Sequence, residues 1–279
     1  MRKIFLILIL VILVSPFPVR AEEDNVKIIK ILLEPGHDNQ YFGTKFKNVK
    51  ETEINLELAS KISKILSKNK SFQVFMTRDK NGYLSDITNY FENKKDEIIN
   101  FKKEAKAETA IKIANGDFIV KEGAPHHSVN SEIAFRLYGL NKWADENNMD
   151  AVINIHFNDY PRRYEKKAGK YKGFTIYIPE SPLINSKKSY DLGKNIFLEL
   201  IKKYKTSTYP AEKDGLVPDQ KLIALGTNDT LKTRSVLIEY AYIYEKILST
   251  KKTREKTLQS MADLTAKGIE NYFSKNQNQ

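Results

Sequence analysis

The feature that most constrains the fold of this chain is a short apolar run at residues 28–33, which ends abruptly in Glu34-Pro35-Gly36-His37. A run of this length, rich in Ile and Leu, is typical of a buried β-strand, and Pro-Gly commonly ends one. Ligands in open α/β sheets bind at the carboxyl ends of the strands. We therefore expect the imidazole of His37 at a sheet edge where ligands bind.

A second segment repeats this design. Residues 151–155 are apolar apart from Asn154, and they run directly into His156. Two of the four histidines in the 279-residue chain thus follow predicted strands. Since neutral imidazole is a common zinc ligand, a shared metal ion is the first hypothesis. Two ordinary strand-end histidines are the alternative.

Two carboxylates are candidates to complete this site. Glu51 stands just before an amphipathic segment, and Thr52 is the expected N-cap of that helix, as Ser131 is of the helix before the second histidine. Glu239 ends the apolar run 236–238, which is typical of a buried strand. The alternatives are a helix-start charge at position 51 and a solvated or salt-bridged glutamate at position 239.

Together, His37, Glu51 and His156 would leave the fourth tetrahedral position of a zinc ion open, which is the arrangement of hydrolytic zinc sites. Zinc lowers the pKa of its water to about 7 and polarises a carbonyl oxygen. Glu239 follows three apolar residues, so we expect it to be partly buried with a raised pKa. It could then take a proton from water and return it to a leaving amine.

Residues 1–21 are typical of a signal peptide. A basic start precedes an unbroken apolar run at residues 4–14, and residues 19–21 offer a cleavage site. The run is about half the length that spans a bilayer, so cleavage is expected and an uncleaved anchor is the alternative. We predict a secreted or periplasmic protein that is associated with the cell wall and has no stable membrane span after cleavage.

The charge of the chain bears on its partners. The formal net charge is +11, and cleavage of the signal peptide, which contains Arg2, Lys3 and Arg20, leaves +8. An exported protein with this charge would be attracted to anionic polymers such as cell-wall glycans and teichoic acids, or to lipid head groups. An even bias toward Lys, Ile and Asn, as in an AT-rich genome, is the alternative origin of this charge. No nucleic-acid-binding motif is found, and export argues against nucleic acid as a partner. The absence of cysteine excludes disulfides and a lipid-attachment site.

Residues 22–279 are expected to form a single α/β domain, an open and mostly parallel twisted sheet flanked by helices. Residues 82–130 depart from the strand–helix rhythm and are rich in Lys and Glu, which predicts a helical insertion. It could be a lid or regulatory segment, a glycan-binding arm or decoration. Within it, His126 and His127 could contact a metal or a substrate, and residues 274–279 are expected to form a loose tail.

Seven elements occur in a characteristic order over nearly the whole mature chain. They are residues 34–38, 51–56, 77–78, 136–141, 154–158, Gly173 and 236–239. In this order and approximate spacing they resemble the zinc-dependent N-acetylmuramoyl-L-alanine amidases of type 3, a family of bacterial cell-wall hydrolases. The family pattern reads Asp-Pro-Gly-His-Gly, Glu before an apolar helix, Thr-Arg, Arg-x-x-x-Ala-Asn, Ser-Ile-His-x-Asn, Gly before a strand, and Val-Leu-x-Glu.

The resemblance implies one zinc ion held by His37, Glu51 and His156, with Glu239 as the catalytic carboxylate. The implied reaction is hydrolysis of the amide between N-acetylmuramic acid and L-alanine in peptidoglycan, with Glu239 protonating the departing alanine nitrogen. The protein is expected to act as a monomer. Two alternatives from other classes are a non-catalytic cell-wall-binding module, and another zinc peptidase or deacetylase that acts on peptidoglycan.

Three residues after the second histidine are candidates for substrate contact. Asn158 belongs to the family pattern. Arg162 and Arg163 could engage peptide-stem carboxylates bidentately, while the tyrosines on either side stack on sugar faces. A solvated basic loop is the alternative for the two arginines.

Several positions depart from the family pattern. Glu34 stands where Asp is usual, Asp38 replaces Gly and Asn154 replaces Ser, and the Asn expected after the catalytic strand is not evident at 242–245. None of these changes removes a ligand. Because two of them adjoin ligands, an altered substrate preference or altered support of the ligands is expected.

Overall fold

A computed structural model describes residues 27–161 and 167–276, where strands and helices alternate over most of the chain. The strands are β1 (Ile29–Pro35), β2 (Lys45–Phe46), β3 (Val49–Lys50), β4 (Phe72–Met76), β5 (Arg78–Asp79), β6 (Gly82–Tyr83), β7 (Ala151–Asn158), β8 (Thr175–Pro179), β9 (Leu216–Asp219) and β10 (Arg234–Tyr242). The α-helices are α1 (Glu51–Leu66), α2 (Ser85–Asn93), α3 (Lys95–Ala114), α4 (Ser131–Glu146), α5 (Ser186–Leu200) and α6 (Lys251–Asn276).

The main sheet of the described residues has the strand order β4-β1-β7-β10-β8-β9. Neighbouring strands pair in parallel, except that β8 is antiparallel to β10. In the centre, Glu34 of β1 lies opposite Asn154 of β7, and His156 of β7 lies opposite Glu239 of β10. The predicted open, mostly parallel sheet flanked by helices is confirmed.

Apart from Lys30 and Glu34, the first strand is apolar, because the sheet is covered on both faces. Leu33 belongs to a core shared with α1, α5 and α6, whereas Leu32 packs with α2 and α4 on the other face, next to Trp143. Successive strand residues point to opposite faces, so the apolar residues 31–33 contribute to both cores. This central position brings the end of β1 to the middle of the sheet edge.

The start of α1 differs from the prediction. The helix begins at Glu51, and its N-cap is Lys50 rather than Thr52. No side chain caps it; instead the backbone N–H groups of Glu51 and Thr52 bond to the carbonyls of Thr44 and Phe42. The preceding loop thus supplies the hydrogen-bond acceptors that a capping side chain would provide. Consequently Glu51 lies within the first helical turn, where its position is fixed.

Residues 82–130 contain α2, α3 and a segment without regular structure at residues 119–130, which we call the insertion loop. The helix α3 packs on α4, so this part lies outside the sheet. The insertion loop ends at Asn130, whose side chain accepts a hydrogen bond from the N–H of Ile133 at 2.9 Å. Asn130, and not Ser131, is therefore the N-cap of α4.

The two ends of the chain bear on the targeting and tail predictions. The predicted signal peptide, residues 1–21, lies outside the described residues, as do residues 277–279. The last helix continues to Asn276, three residues into the segment expected to be loose. Among the described residues, no helix combines the length and apolar character that crossing a bilayer requires.

Candidate active site

Two neighbouring parallel strands bring the predicted histidines together. His37 follows β1 by two residues, His156 lies within β7, and their ring centroids are 5.1 Å apart. The backbone of His37 has a φ of 66°, in the left-handed region that few non-glycine residues adopt. This sharp turn after Gly36 directs the chain back over the sheet edge.

Glu51 lies between the two imidazoles. Its Oε2 is 3.1 Å from Nε2 of His37, and its Oε1 is 3.1 Å from Nδ1 of His156. The backbone N–H groups of Thr44 and Phe157 donate to the same carboxylate at 3.0 and 3.2 Å. One possible ligand atom from each of the three side chains lies within 4.8 Å of the others. The three residues, the ligand cluster, thus offer two imidazole nitrogens and a carboxylate oxygen to one cation.

The ionisation of the ligand cluster reflects its internal pairing. Burial alone would raise the pKa of Glu51, but the charges of the two histidines and their hydrogen bonds outweigh it and lower that pKa strongly. Burial lowers the pKa of His156. It also acts on His37, where the charge of Glu51 and the hydrogen bond to it raise the pKa instead. A cation bound here would meet an ionised carboxylate between two imidazoles.

Arg78 holds both ligand-bearing segments in place. Its buried guanidinium donates to the carbonyl oxygens of Pro35 at 2.9 Å, Gly36 at 3.1 Å and Thr52 at 2.9 Å. The first two carbonyls precede His37, and the third follows the first residue of α1. The sequence indicated Arg78 only through the family pattern, in which Thr-Arg follows a strand.

Two glycines leave room for the ligand cluster. A Cβ at Gly36 would overlap the imidazole of His156, and a Cβ at Gly43 would overlap Glu51 and His37. Gly43 also has a φ of 73°, which disfavours a side chain. The importance of Gly43 was missed because nothing near it in sequence marks its contact with the ligands.

Glu239 faces the same sheet edge from β10, directly opposite His156. Its Oε2 is buried and has no hydrogen-bond partner among the described residues. Burial raises the pKa of Glu239 well above its usual value, and the nearby charges of Glu51 and Glu212 act in the same direction. Glu239 is therefore a buried carboxyl that holds a proton more firmly than an ordinary glutamate and has an oxygen free to exchange it.

Glu212 is a further buried carboxylate, and its charge is near enough to raise the pKa of Glu239. It was missed in the sequence. Its Oε1 accepts hydrogen bonds from Asn158 and from the hydroxyl of Tyr177, both at 2.8 Å. Its Oε2 accepts from Ser207 at 2.6 Å and from the hydroxyl of Tyr242 at 2.9 Å. Glu212 is thus a fully paired charge, and it sits in a loop with no pattern to mark it.

The residues proposed for substrate contact lie in different surroundings. Asn158 is buried, with its amide group on Glu212 and its oxygen accepting the backbone N–H of Tyr160 at 2.7 Å. A direct role of Asn158 in substrate contact stays a prediction. Arg162 and Arg163 lie outside the described residues.

Two of the departures from the family pattern support the site from behind. Asp38 pairs with the guanidinium of Arg136 and accepts the backbone N–H groups of Gln40 and Tyr41, both at 2.8 Å. It thereby closes the turn that follows His37. Asn154 donates its amide to a hydroxyl and a carbonyl of β10 at 3.1 Å each, which ties β7 to β10.

A cavity of about 620 Å³ opens beside the ligand cluster. His37 and His156 line one end, and α4 and the insertion loop form its walls. His126 of the insertion loop lies 2.9 Å from the carboxylate of Asp219, and the ring of His127 lies 5.2 Å from that of Tyr160. Neither histidine belongs to the candidate metal cluster found in the described residues.

Comparison with known proteins gives a matching family model and a similar curated protein. The chain matches the family model described as N-acetylmuramoyl-L-alanine amidase over residues 31–271. A curated protein of Buchnera aphidicola, named as a candidate N-acetylmuramoyl-L-alanine amidase, is 27% identical over 254 residues, 89% of this chain and 96% of that protein.

Two solved structures share the fold. An N-acetylmuramoyl-L-alanine amidase of Clostridium difficile 630 has 18% identity and a TM-score of 0.55, with 89% of this chain and 98% of that one covered. The amidase Ami1 of Mycobacterium smegmatis has 14% identity and a TM-score of 0.58, with 90% and 99% covered. At these identities the similarity concerns the fold alone.

Proposed function

Since the chain belongs to the N-acetylmuramoyl-L-alanine amidase family, we propose that it uses zinc to hydrolyse the amide bond between N-acetylmuramic acid and L-alanine in peptidoglycan. The observation that carries the proposal is the convergence of His37, Glu51 and His156, with ligand atoms within 4.8 Å of one another. Two imidazoles and one carboxylate fit zinc in a hydrolytic site, because they leave a coordination position open.

The residues of the chain have separate tasks in this reaction. Zinc, when bound, supplies an activated water and polarises the scissile carbonyl. The N–H groups of Thr44 and Phe157 hold Glu51 so that its two oxygens face the two histidines. Glu239 takes the proton of the attacking water and delivers it to the nitrogen of the departing alanine. Its raised pKa suits the second step, because the carboxyl holds the accepted proton more firmly than an ordinary glutamate until the nitrogen departs.

We extend the proposal to partner and location. Peptidoglycan lies outside the cytoplasmic membrane, so the enzyme would act after export, in line with the predicted signal peptide at residues 1–21. Residues 22–279 would form the catalytic domain of a monomer, and the net charge of +8 that remains without Arg2, Lys3 and Arg20 would favour its contact with anionic wall polymers.

Digestion of purified peptidoglycan tests the proposal. We expect new amino-terminal alanine, which disappears on chelation and returns when zinc is added. New amino sugars would indicate a deacetylase instead, and a cut peptide stem would indicate a peptidase. Protein without bound zinc that binds the polymer and releases nothing would indicate a wall-binding module. The variant Glu239→Gln, run in parallel, should bind zinc and release little alanine.

A further inference from the structure

Glu34 presents a buried carboxyl to the cavity beside the ligand cluster. The residue is 7% exposed and lines that cavity. It lies opposite Asn154 in the sheet, and His156 is two residues further along the same strand. Because side chains alternate along a strand, Glu34 and His156 face the same side of the sheet. The cavity therefore runs from the ligand cluster to Glu34.

The carboxyl of Glu34 has no hydrogen-bond or ion-pair partner within residues 27–161 and 167–276. Arg78 is near enough to lower its pKa, but this guanidinium gives its hydrogen bonds to main-chain carbonyls. Burial outweighs that charge and raises the pKa of Glu34 to about 7. A carboxyl that has no protein partner and lines a cavity is available to a ligand that enters the cavity.

Other carboxylates that line this cavity already have cations. Asp38 pairs with Arg136, and Glu122 of the insertion loop pairs with Lys221 at 3.1 Å. Their charges are therefore balanced without a ligand. The partner that Glu34 lacks is a hydrogen-bond donor, and a positively charged one would gain most from a buried carboxylate.

The rest of the cavity is mostly apolar. Its apolar walls come from α4 and from the segments around β10, with Ile133, Leu137, Ala224 and Leu237 among the lining residues. A volume of about 620 Å³ accommodates a substituent of many non-hydrogen atoms. Apolar walls with one unpaired carboxyl match an aliphatic chain that ends in an ammonium group.

We propose that this cavity is a subsite for a primary amine of the substrate, with Glu34 as the group that binds it. The inference rests on the proposed function. Peptidoglycan can carry such an amine in two places, the diamino-acid side chain of the peptide stem and an amino sugar that has lost its acetyl group. Both amines can carry a positive charge near neutral pH. The amino sugar is the ring that bears the amide to be cleaved, whereas the diamino acid lies further along the peptide stem. Glutamate reaches further into the cavity than the aspartate that the family pattern has here.

Binding to the metal-free protein tests the proposal without turnover. Three ligands are compared by calorimetry: an N-acetylmuramoyl tripeptide with a free lysine amine, the same compound acetylated on that amine, and the lysine-acetylated compound with a free amino sugar. We expect one of the two amine-bearing ligands to bind at least about 10-fold more tightly than the fully acetylated one. The ligand that does so identifies the source of the amine. Equal affinity for all three would overturn the proposal.

Two variants assign the preference to Glu34. Glu34→Gln keeps the shape and should bring the amine ligand to within about 2-fold of the acetylated one. Glu122→Gln removes the same charge from an exposed, paired side chain of the cavity and should keep the preference. If Glu34→Gln does not fold, Glu34→Asp withdraws the carboxyl and should reduce the preference to within about 3-fold. A full preference in a folded Glu34 variant would exclude this residue as the amine-binding group.

Hydrolysis by the zinc-loaded protein separates this inference from the proposed function. If alanine is released from both amine-bearing and acetylated substrates at equal KM, the amidase proposal stands and the amine subsite fails. If no alanine is released but the metal-free protein still prefers the amine, the amidase proposal fails and the subsite stands.

Discussion

Two buried glutamates at the same sheet edge differ in their partners and in the direction of their pKa shifts. In the ligand cluster, Glu51 accepts hydrogen bonds from two histidines and two backbone N–H groups, and its pKa is lowered. On β10, Glu239 has an oxygen without a partner, and its pKa is raised. Burial acts on both in the same direction, so the partners make the difference. The first carboxylate is arranged for a cation and the second for a proton.

Replacing Glu51 with Gln tests whether this carboxylate binds the cation and should have the largest effect. The variant loses the charge that balances a divalent cation, so zinc affinity should fall by more than about 100-fold, beyond what loss of a supporting hydrogen bond costs. Amidase activity should be lost with it. Competition with a chelator measures the affinity. Zinc bound as tightly as in the unmodified protein would remove Glu51 from the ligand set.

Replacing Glu239 with Gln tests whether this carboxyl transfers the proton. The release of alanine should slow by about 10²–10⁴-fold, the usual contribution of a general acid or base. Zinc affinity should stay within a few-fold, which distinguishes this variant from Glu51→Gln. Glu57 of α1, which is half-exposed and pairs with Lys61, serves as the control when changed to Gln and should leave the rate unchanged. A rate within about 3-fold of the unmodified enzyme would show that Glu239 transfers no proton.

Glu34 sharpens the comparison, because it is buried and has no partner that would lower its pKa below the usual range. Its pKa is about 7 in the folded protein against 4.5 for an ordinary glutamate, so the folded state binds the extra proton. Stability is therefore lost as pH rises from about 4.5 to about 7. Relative to the unmodified protein, Glu34→Gln should gain about 3 kcal/mol of unfolding free energy between these limits.

Chemical denaturation of both metal-free proteins at several pH values measures this gain. A stability difference between them that does not change with pH would mean that the carboxyl of Glu34 is already ionised in a polar environment.

Arg78 connects the two ligand-bearing segments, and replacing it with Lys tests how far the ligand cluster depends on that support. Lysine cannot reproduce the planar arrangement of donors that reaches three carbonyls. Zinc affinity should fall by about 10–100-fold, as for other supporting hydrogen bonds around metal sites. Arg234, which donates to the carbonyl of Asp150 away from the site, is the matched control when changed to Lys. Equal losses in both variants would indicate general destabilisation.

The sequence predicted the parts of the site that local pattern determines. Apolar runs before His37, His156 and Glu239 mark buried strands, and parallel strands end at one edge, so these side chains had to meet there. Glu51 was found because a helix must follow the first strand to cover the sheet. The ligand cluster and the sheet class follow from these few regularities.

The remaining parts depend on contacts between distant segments. Gly43 and Glu212 lie in loops without periodicity, and their importance comes from side chains that reach them across the fold. The expected cap at Thr52 was wrong because the loop before α1 supplies the hydrogen bonds that a capping side chain usually makes. The unpaired state of Glu34 could be seen only when all of its neighbours were placed.

The space left by Gly36 and Gly43 has a consequence for how related genes are judged. One extra methyl group at either position would push an imidazole or the carboxylate out of place, although each ligand would still be encoded. A homologue could thus carry every ligand and still be inactive. Inventories of active enzymes that count ligands alone would overstate their number, and checking these two small residues would correct the count.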